Sequence, residues 1–407
     1  MTGELPNFIR FGRAVCGDLI QAERREWWLA NGLGGYAGGT IAGALTRRYH
    51  GLLIAPLPPP HDRWLVFAKA DATLIDGERD IPLFSNRWGG LVINPQGYIH
   101  LESFHLEGRM PIWRFALGDL VLEQRIWMEP GANTSYVVWR LTPESRGHAP
   151  QLRVRLLVNG RDHHCKTDMG VFQPVIEAPD PAQRCISVPE FTLRLWACGG
   201  TLVDQVNWFE DYDLPVEHER GMAHRDHNLC IGEALLTLQP GVWVGVVASL
   251  HEDASLDLDA ALQRFLVREK TLLADAEAGA PELANAPDWV QQLLLAADSF
   301  LVDRLLPGMP DGQSVIAGYP WFGDWGRDTM IALSGLTLAT GRPDIARRIL
   351  LTFVHFTDQG MLPNLFSAAG EPLAYNTADA ALWYIEAWRA YLEVTGDVKT
   401  LAKVFPV

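Results

Sequence analysis

DAALQRFLVREKTLLADAEAG, residues 259–279, is the stretch at which the hydrophobic period of this 407-residue chain changes. Within it Leu262, Phe265, Leu266 and the pair Leu272/Leu273 recur at steps of three and four, the spacing of one buried helix face. Before it the period is two. In LRVRLLV (152–158), Leu152, Val154 and Leu156 alternate with Arg153 and Arg155, so a strand here turns one face inward. TSYVVWRL (134–141), FTLRLWA (191–197) and VWVGVVASL (242–250) repeat such runs between clusters of Gly, Pro, Asn and Asp. This pattern, with almost no helical stretch, predicts a large antiparallel β-sandwich over 1–255. Residues 256–284 then read as a linker helix, with a boundary in APELANAP (280–287), and 285–407 as a helical region.

Beyond the boundary, Trp289, Leu293, Ala297 and Phe300 mark a first helix. Residues 329–340 mark a second, stopped by Gly341. A third opens with Pro343 and runs to near Gly360, and a fourth spans about Thr377 to Gly396.

Composition excludes several classes of function. With 34 basic against 49 acidic side chains, a net charge of −15 gives no clustered Lys/Arg face for nucleic acid. No apolar run approaches the ~20 residues of a membrane helix, and MTGELPNFIRFGRAVC lacks the basic and apolar regions of a secretory signal. Five cysteines (16, 165, 185, 198, 230) without CxxC spacing fit reduced thiols in a cytoplasmic protein, with no disulfide framework and no zinc site. Nothing in the sequence calls for a cofactor. The 15 tryptophans raise, only slightly, the case for a sugar ligand, whose apolar faces stack on flat rings.

Two motifs carry less than they first promise. Gly32-x-Gly34-x-x-Ala37 in NGLGGYAGGTIAG (31–43) has the glycine spacing of a dinucleotide fingerprint. A strand-like stretch without an acid follows it, however, so the glycines serve tight turns with positive φ. RDHHCKTD (161–168) sets His163, His164 and Cys165 side by side; on a strand, neighbours point to opposite faces and cannot share one metal ion.

Two other stretches carry more. GYPWFGDWGRDTMIAL (318–333) packs Tyr319, Trp321, Phe322 and Trp325 beside Asp324, Arg327 and Asp328. Such a loop offers stacking rings and charge-assisted hydrogen bonds to a small polyhydroxylated ligand; the lesser alternative is an aromatic core corner with a structural Arg–Asp pair. In LPNLFSAAGEPLAYNTADAALWYIEAW (362–388), Thr377 or Asn376 is placed to cap a helix with Asp379 in its first turn. The helix dipole would favour a charged Asp379, whereas an enclosing aromatic shell would favour the protonated acid.

NGLGGYAGGTIAGALTRRYHGLL (31–53), WFEDYDLPVEHERG (208–221), AGYPWFGDWGRD (317–328) and YNTADAALW (375–383), in this order, closely resemble the bacterial and archaeal glycogen debranching enzymes, the amylo-α-1,6-glucosidases. The resemblance runs from about residue 20 to the end. It implies a supersandwich-like N-terminal β-sandwich followed by an (α/α)6 toroid of the glucoamylase-like type. The implied reaction is hydrolysis of α-1,6-linked glucose, with inversion, at branch points of glycogen or branched α-glucan oligosaccharides. Motif matching implies that Trp321, Trp325, Arg327, Asp328 and Asn376 bind substrate and that Asp379 donates the proton, with Asp324 and Glu371 the next acidic candidates. A toroid has twelve helices and four or five fit here, so the toroid is expected to be incomplete, with the general base beyond Val407. Its unclosed edge is expected to expose Trp383, Trp388 and Tyr391. An α-1,4-acting toroid glycosidase and a non-catalytic glucan-binding module are the alternatives.

Overall fold

The computed structural model describes residues 4–58, 60, 62–145, 150–366 and 373–404. Two antiparallel sheets face one another. Nine strands form the first, in the order Arg10–Gly12, Leu101–Glu107, Met110–Leu117, Leu120–Met128, Thr134–Leu141, Val244–Ser249, Thr192–Cys198, Gln183–Ser187 and Val175–Asp180. The second runs Glu26–Ala30, Tyr36–Thr40, Gly51–Pro56, Arg63–Asp76, Gln151–Asp162, Arg225–Thr237, Asn207–Asp213, Ser85–Trp88 and Val92–Gln96. Arg79–Pro82 and Gly200–Val203 pair onto it from the side.

The core between the sheets follows from the period-2 pattern. Leu152, Val154 and Leu156 are fully buried, whereas Arg153 and Arg155 turn outward and pair with Asp80 at 2.6 Å and Glu233 at 3.3 Å. Trp127 and Tyr136 stack across neighbouring strands, their rings 4.9 Å apart and inclined by 10°. From Leu157 the alternation stops: Leu157, Val158 and Asn159 are all buried. The outer face of the second sheet is covered there too, by a layer of Tyr36, Ile54, Leu65, Leu157 and Tyr212 that Tyr319 of the helical region completes. Strands Tyr36–Thr40 and Gly51–Pro56 are buried at every residue for the same reason. Gly32 and Gly34 lie at φ +81° and +91°, so the glycine motif builds turns.

Helix Leu258–Gly279 follows the sandwich, with Asp257 capping it by accepting from the Ala260 N–H. Its end touches the Gly341 turn so closely that a Cβ on Gly341, at φ +71°, would lie 2.7 Å from the Ala276 carbonyl oxygen. That one glycine meets both a left-handed turn and a close backbone approach.

The helices that follow are Asp288–Asp298, Gly326–Leu333, Pro343–Val354, Asp379–Thr395 and Val398–Val404. Several differ from the sequence expectation in telling ways. The first turns Leu295, Gln292 and Asp298 inward and leaves Trp289 and Leu293 half or more exposed. Polar partners decide this orientation: the Gln292 amide donates to the Gly108 carbonyl of a sandwich hairpin at 2.9 Å, and Asp298 meets three arginines. The second helix loosens after Leu333 into a π turn over Ser334–Leu338, where the Thr337 hydroxyl donates to the Leu333 carbonyl at 2.6 Å. The third ends at Val354, six residues before Gly360. Gly396, at φ 64°, ends the fourth as expected, but neither Asn376 nor Thr377 caps it: Ala378 stands at the cap position and makes no side-chain bond. Trp388 and Tyr391 are also buried, packing with Ala346, Ile349, Leu350 and Phe353 in the helical core. The outward face of this helix carries Leu382 and Ile385, about two-thirds exposed, with Trp383 at 40%.

A buried charge cluster ties the layers together. Arg109, in the turn after strand Leu101–Glu107, pairs with Glu269 of the linker helix and with Asp298 at 3.1 Å. Arg342, just before helix Pro343–Val354, takes the other Asp298 oxygen at 2.9 Å. Each of these four side chains is at most 9% exposed.

Candidate active site

The aromatic loop is a compact structure with a charged root. The Ala317 and Phe322 N–H groups donate to the Gly323 and Gly318 carbonyls, closing the loop on itself. Beneath it Asp324, fully buried, pairs with Arg304 at 2.7 Å, and the Arg304 guanidinium lies 4.0 Å from the Phe366 ring centroid. Asp324 is thus committed to holding the loop and is not placed as an acid for a ligand. Glu371, the other fallback, lies outside the described residues.

From this root the chain enters helix Gly326–Leu333 with Trp325 at the cap position and Arg327 and Asp328 in the first turn. Trp325 pairs with Leu365 in a β-bridge, the Gly326 N–H donates to the Asn364 carbonyl at 2.9 Å, and Leu365 pairs in turn with Ala374. This short ladder carries the chain to the start of helix Asp379–Thr395. There Asp379, the first helical residue, faces Arg327 with Nη1 and Oδ2 3.6 Å apart, both side chains 47% exposed. Trp325, Arg327, Asp328 and Asp379 are therefore gathered where two helices start side by side, each helix presenting its positive end. Asp328 is half-buried and has no ion-pair partner among the described residues. Asn376 is exposed, three residues before Asp379. Among the described residues no closed aromatic shell surrounds the Asp379 carboxylate, which is 47% exposed and open to a ligand.

Trp321 stands apart from this group. It packs against the sandwich, its ring 5.4 Å from the Arg47 guanidinium, 5.3 Å from that of Arg220 and 6.1 Å from the Tyr49 ring. Arg63, buried at the start of its strand, donates through Nη1 to the carbonyls of Pro320 (3.3 Å) and Phe322 (3.0 Å), and through Nε to that of Gly34 (2.8 Å). Sequence reasoning missed these supporting residues. Arg47 and Arg220 lie inside two of the four quoted motifs, a signal that was present; Arg63 lies in none.

The histidine pair sits behind Trp321 and corrects the reasoning applied to it. The strand ends at Asp162, so His163 and His164 occupy a turn and do not point apart; their ring centroids are 4.1 Å from each other. His163 is held neutral, its pKa pushed down to about 2 by burial and by the positive field of Arg63 and Arg161, while its Nδ1 bonds the Tyr36 hydroxyl at 3.1 Å. His164 shares a hydrogen bond with Tyr49 at 3.1 Å. His163 is buried at the junction as a packing group, whereas His164 is exposed. Among the described residues no group of three His, Cys, Asp or Glu side chains has metal-holding geometry.

The family model described as "Glycogen debranching enzyme N terminal" matches residues 25–245, and "Amylo-alpha-1,6-glucosidase" matches residues 295–407. The chain belongs to the glycogen debranching enzyme family. A glycogen debranching enzyme of Saccharomyces cerevisiae is 38% identical over 98 residues, 23% of this chain and 6% of the yeast protein. A bacterial glucoamylase, solved in complex with acarbose, superposes with a TM-score of 0.55 at 12% identity, covering 99% of this chain and 59% of its own. That likeness places the fold in the glucoamylase class. A putative kojibiose phosphorylase from the human microbiome gives a TM-score of 0.41 at 9% identity over 92% of this chain and 50% of its own. The chain spans about three-fifths of the glucoamylase and a small fraction of the yeast protein.

Proposed function

We propose that this chain carries the substrate-binding and acid side of a glycogen debranching glucosidase, which removes α-1,6-linked glucose at branch points with inversion. The observation that carries the reading is the meeting of Arg327 and Asp379 at two adjacent helix starts, with Trp325 and Asp328 alongside. In this reading Trp325 stacks on the nonreducing glucose while Arg327 and Asp328 bond its hydroxyls, with Trp321 and Asn376 as outer contacts. Asp379 protonates the departing glycosidic oxygen. Arg327 also acts on the acid itself, because its positive charge steadies the Asp379 carboxylate that remains once the proton has left. Inversion also needs a second carboxylate ~6.5–9.5 Å away to activate water. Asp324 is taken by Arg304 and Asp328 by the glucose, so we assign the base to a carboxylate outside the described residues.

Linkage choice is the test. Glucose release is compared on isomaltosyl- and maltosyl-terminated chains of equal length. Higher kcat/KM on the isomaltosyl substrate supports debranching. Preference for the maltosyl substrate replaces it with an α-1,4 glucosidase, and release from neither leaves a glucan-binding module.

A further inference from the structure

A cleft along the sandwich reaches the aromatic loop and shares only Trp321 with the residues assigned to the site just described. Its outer part has a volume of ≈ 630 Å3 and is lined by the half-buried Trp64 together with Asp62 and Asp162. The same two carboxylates line an inner part of ≈ 140 Å3, which ends against Trp321 and Leu365. Size and position at a junction of two structural layers fit a small-molecule site.

The chemistry of the walls selects the occupant. Arg63, 4% exposed, lines the inner part; two of its bonds fix the aromatic loop and a third holds Gly34, and its Nη2 has no hydrogen-bond partner. Trp321 lines the same part, and its indole N–H is likewise buried without a partner. Unmet buried donors cost free energy, so this wall suits a ligand rich in acceptors. The carboxylates beside them suit a ligand rich in donors. An anion would be repelled by Asp62, Asp162 and Glu190, and a cation by Arg63 with Arg47 and Arg220 behind Trp321. A neutral polyol satisfies both sets, and Trp64 adds an aromatic wall for a sugar ring.

We propose that this cleft is a second glucan-binding site, built by both layers, that holds glucose units of the main chain. This rests on the debranching reading. A glucose removed at a branch point arrives attached to a chain, and Leu365, at the inner end of the cleft, is the bridge partner of Trp325. The cleft therefore opens beside the residues assigned to the reacting glucose.

The test is calorimetric binding of two probes to the purified chain: maltoheptaose, which can fill the cleft, and 1-deoxynojirimycin, which is glucose-sized. Trp64→Ala should weaken maltoheptaose by about tenfold, as expected for losing one stacking ring and its buried area, and leave 1-deoxynojirimycin unchanged. Asp62→Asn should act in the same direction; Asn tolerates the φ of +48° at this position, so the backbone is spared. Unchanged maltoheptaose affinity in both variants overturns the cleft. If 1-deoxynojirimycin is still lost in Asp328→Asn, the debranching reading survives that failure. Binding of neither probe to the unaltered chain overturns both.

Discussion

Asp298 offers the sharpest test of how the helical region is fixed to the sandwich. Its carboxylate is 9% exposed and meets Arg342 at 2.9 Å, Arg109 at 3.1 Å and Arg268 at 3.4 Å. Replacing it with Ala strands Arg342, 8% exposed, without its carboxylate, while Arg109 keeps Glu269. Breaking a buried pair in this way costs ~3–5 kcal/mol, which at ~2–4 °C per kcal/mol lowers the melting midpoint by roughly 6–20 °C. Arg268→Ala removes a partner of the same carboxylate whose side chain is 45% exposed. It should cost under ~1 kcal/mol, the ordinary worth of a surface pair. The pH dependence has a defined sign. Burial pushes the Asp298 pKa up, but Arg109, Arg268 and Arg342 outweigh it and hold the group below its ordinary 3.8. A depressed carboxylate contributes stability above its unfolded pKa and loses it as pH falls through the folded one. The gap between the unaltered chain and Asp298→Asn should therefore be full at neutral pH and shrink below about pH 4. Thermal melts at several pH values read all of this. An Asp298→Ala midpoint no lower than that of Arg268→Ala would refute the reasoning.

Asp328→Asn should weaken glucose or inhibitor binding while leaving the melting midpoint within a degree or two; a large loss of stability with unchanged affinity would make the residue structural. Gly341→Ala should destabilise more than Gly360→Ala. Both positions have φ above +70°, worth ~1–2 kcal/mol to a residue with a Cβ, but only at Gly341 does the new Cβ meet backbone atoms within 3 Å. Equal melting shifts would show that the contact with Ala276 relaxes freely.

The layers are legible in the sequence because each has a local period. Leu152, Val154 and Leu156 announce a half-buried strand, and Gly396 announces a helix end. What the period does not show is any face set by a distant partner. Trp289 and Leu293 look like the inward side of a helix, yet Gln292 and Asp298 go inward because Gly108 and three arginines wait for them. The open edge expected for Trp388 and Tyr391 fails for a similar reason: apolar residues alone do not say which stripe of a helix faces the preceding one. At the candidate site, the motif places Arg327 near Asp328, but its pairing with Asp379, 52 residues later, exists only through the fold. Arg63 shows the limit most plainly. Nothing at the start of RWLVF marks an arginine that will hold two carbonyls more than 250 residues away.

The claim that matters most is the role of Asp379, and one measurement addresses it: the loss of turnover in Asp379→Asn on two substrates. On a branched limit dextrin, whose leaving group must be protonated, kcat should fall by at least ~100-fold. On α-glucosyl fluoride, whose leaving group needs little protonation, the loss should be much smaller. Equal losses on both substrates would contradict the account, because Asp379 would then serve binding or structure and the proton would have to come from another residue.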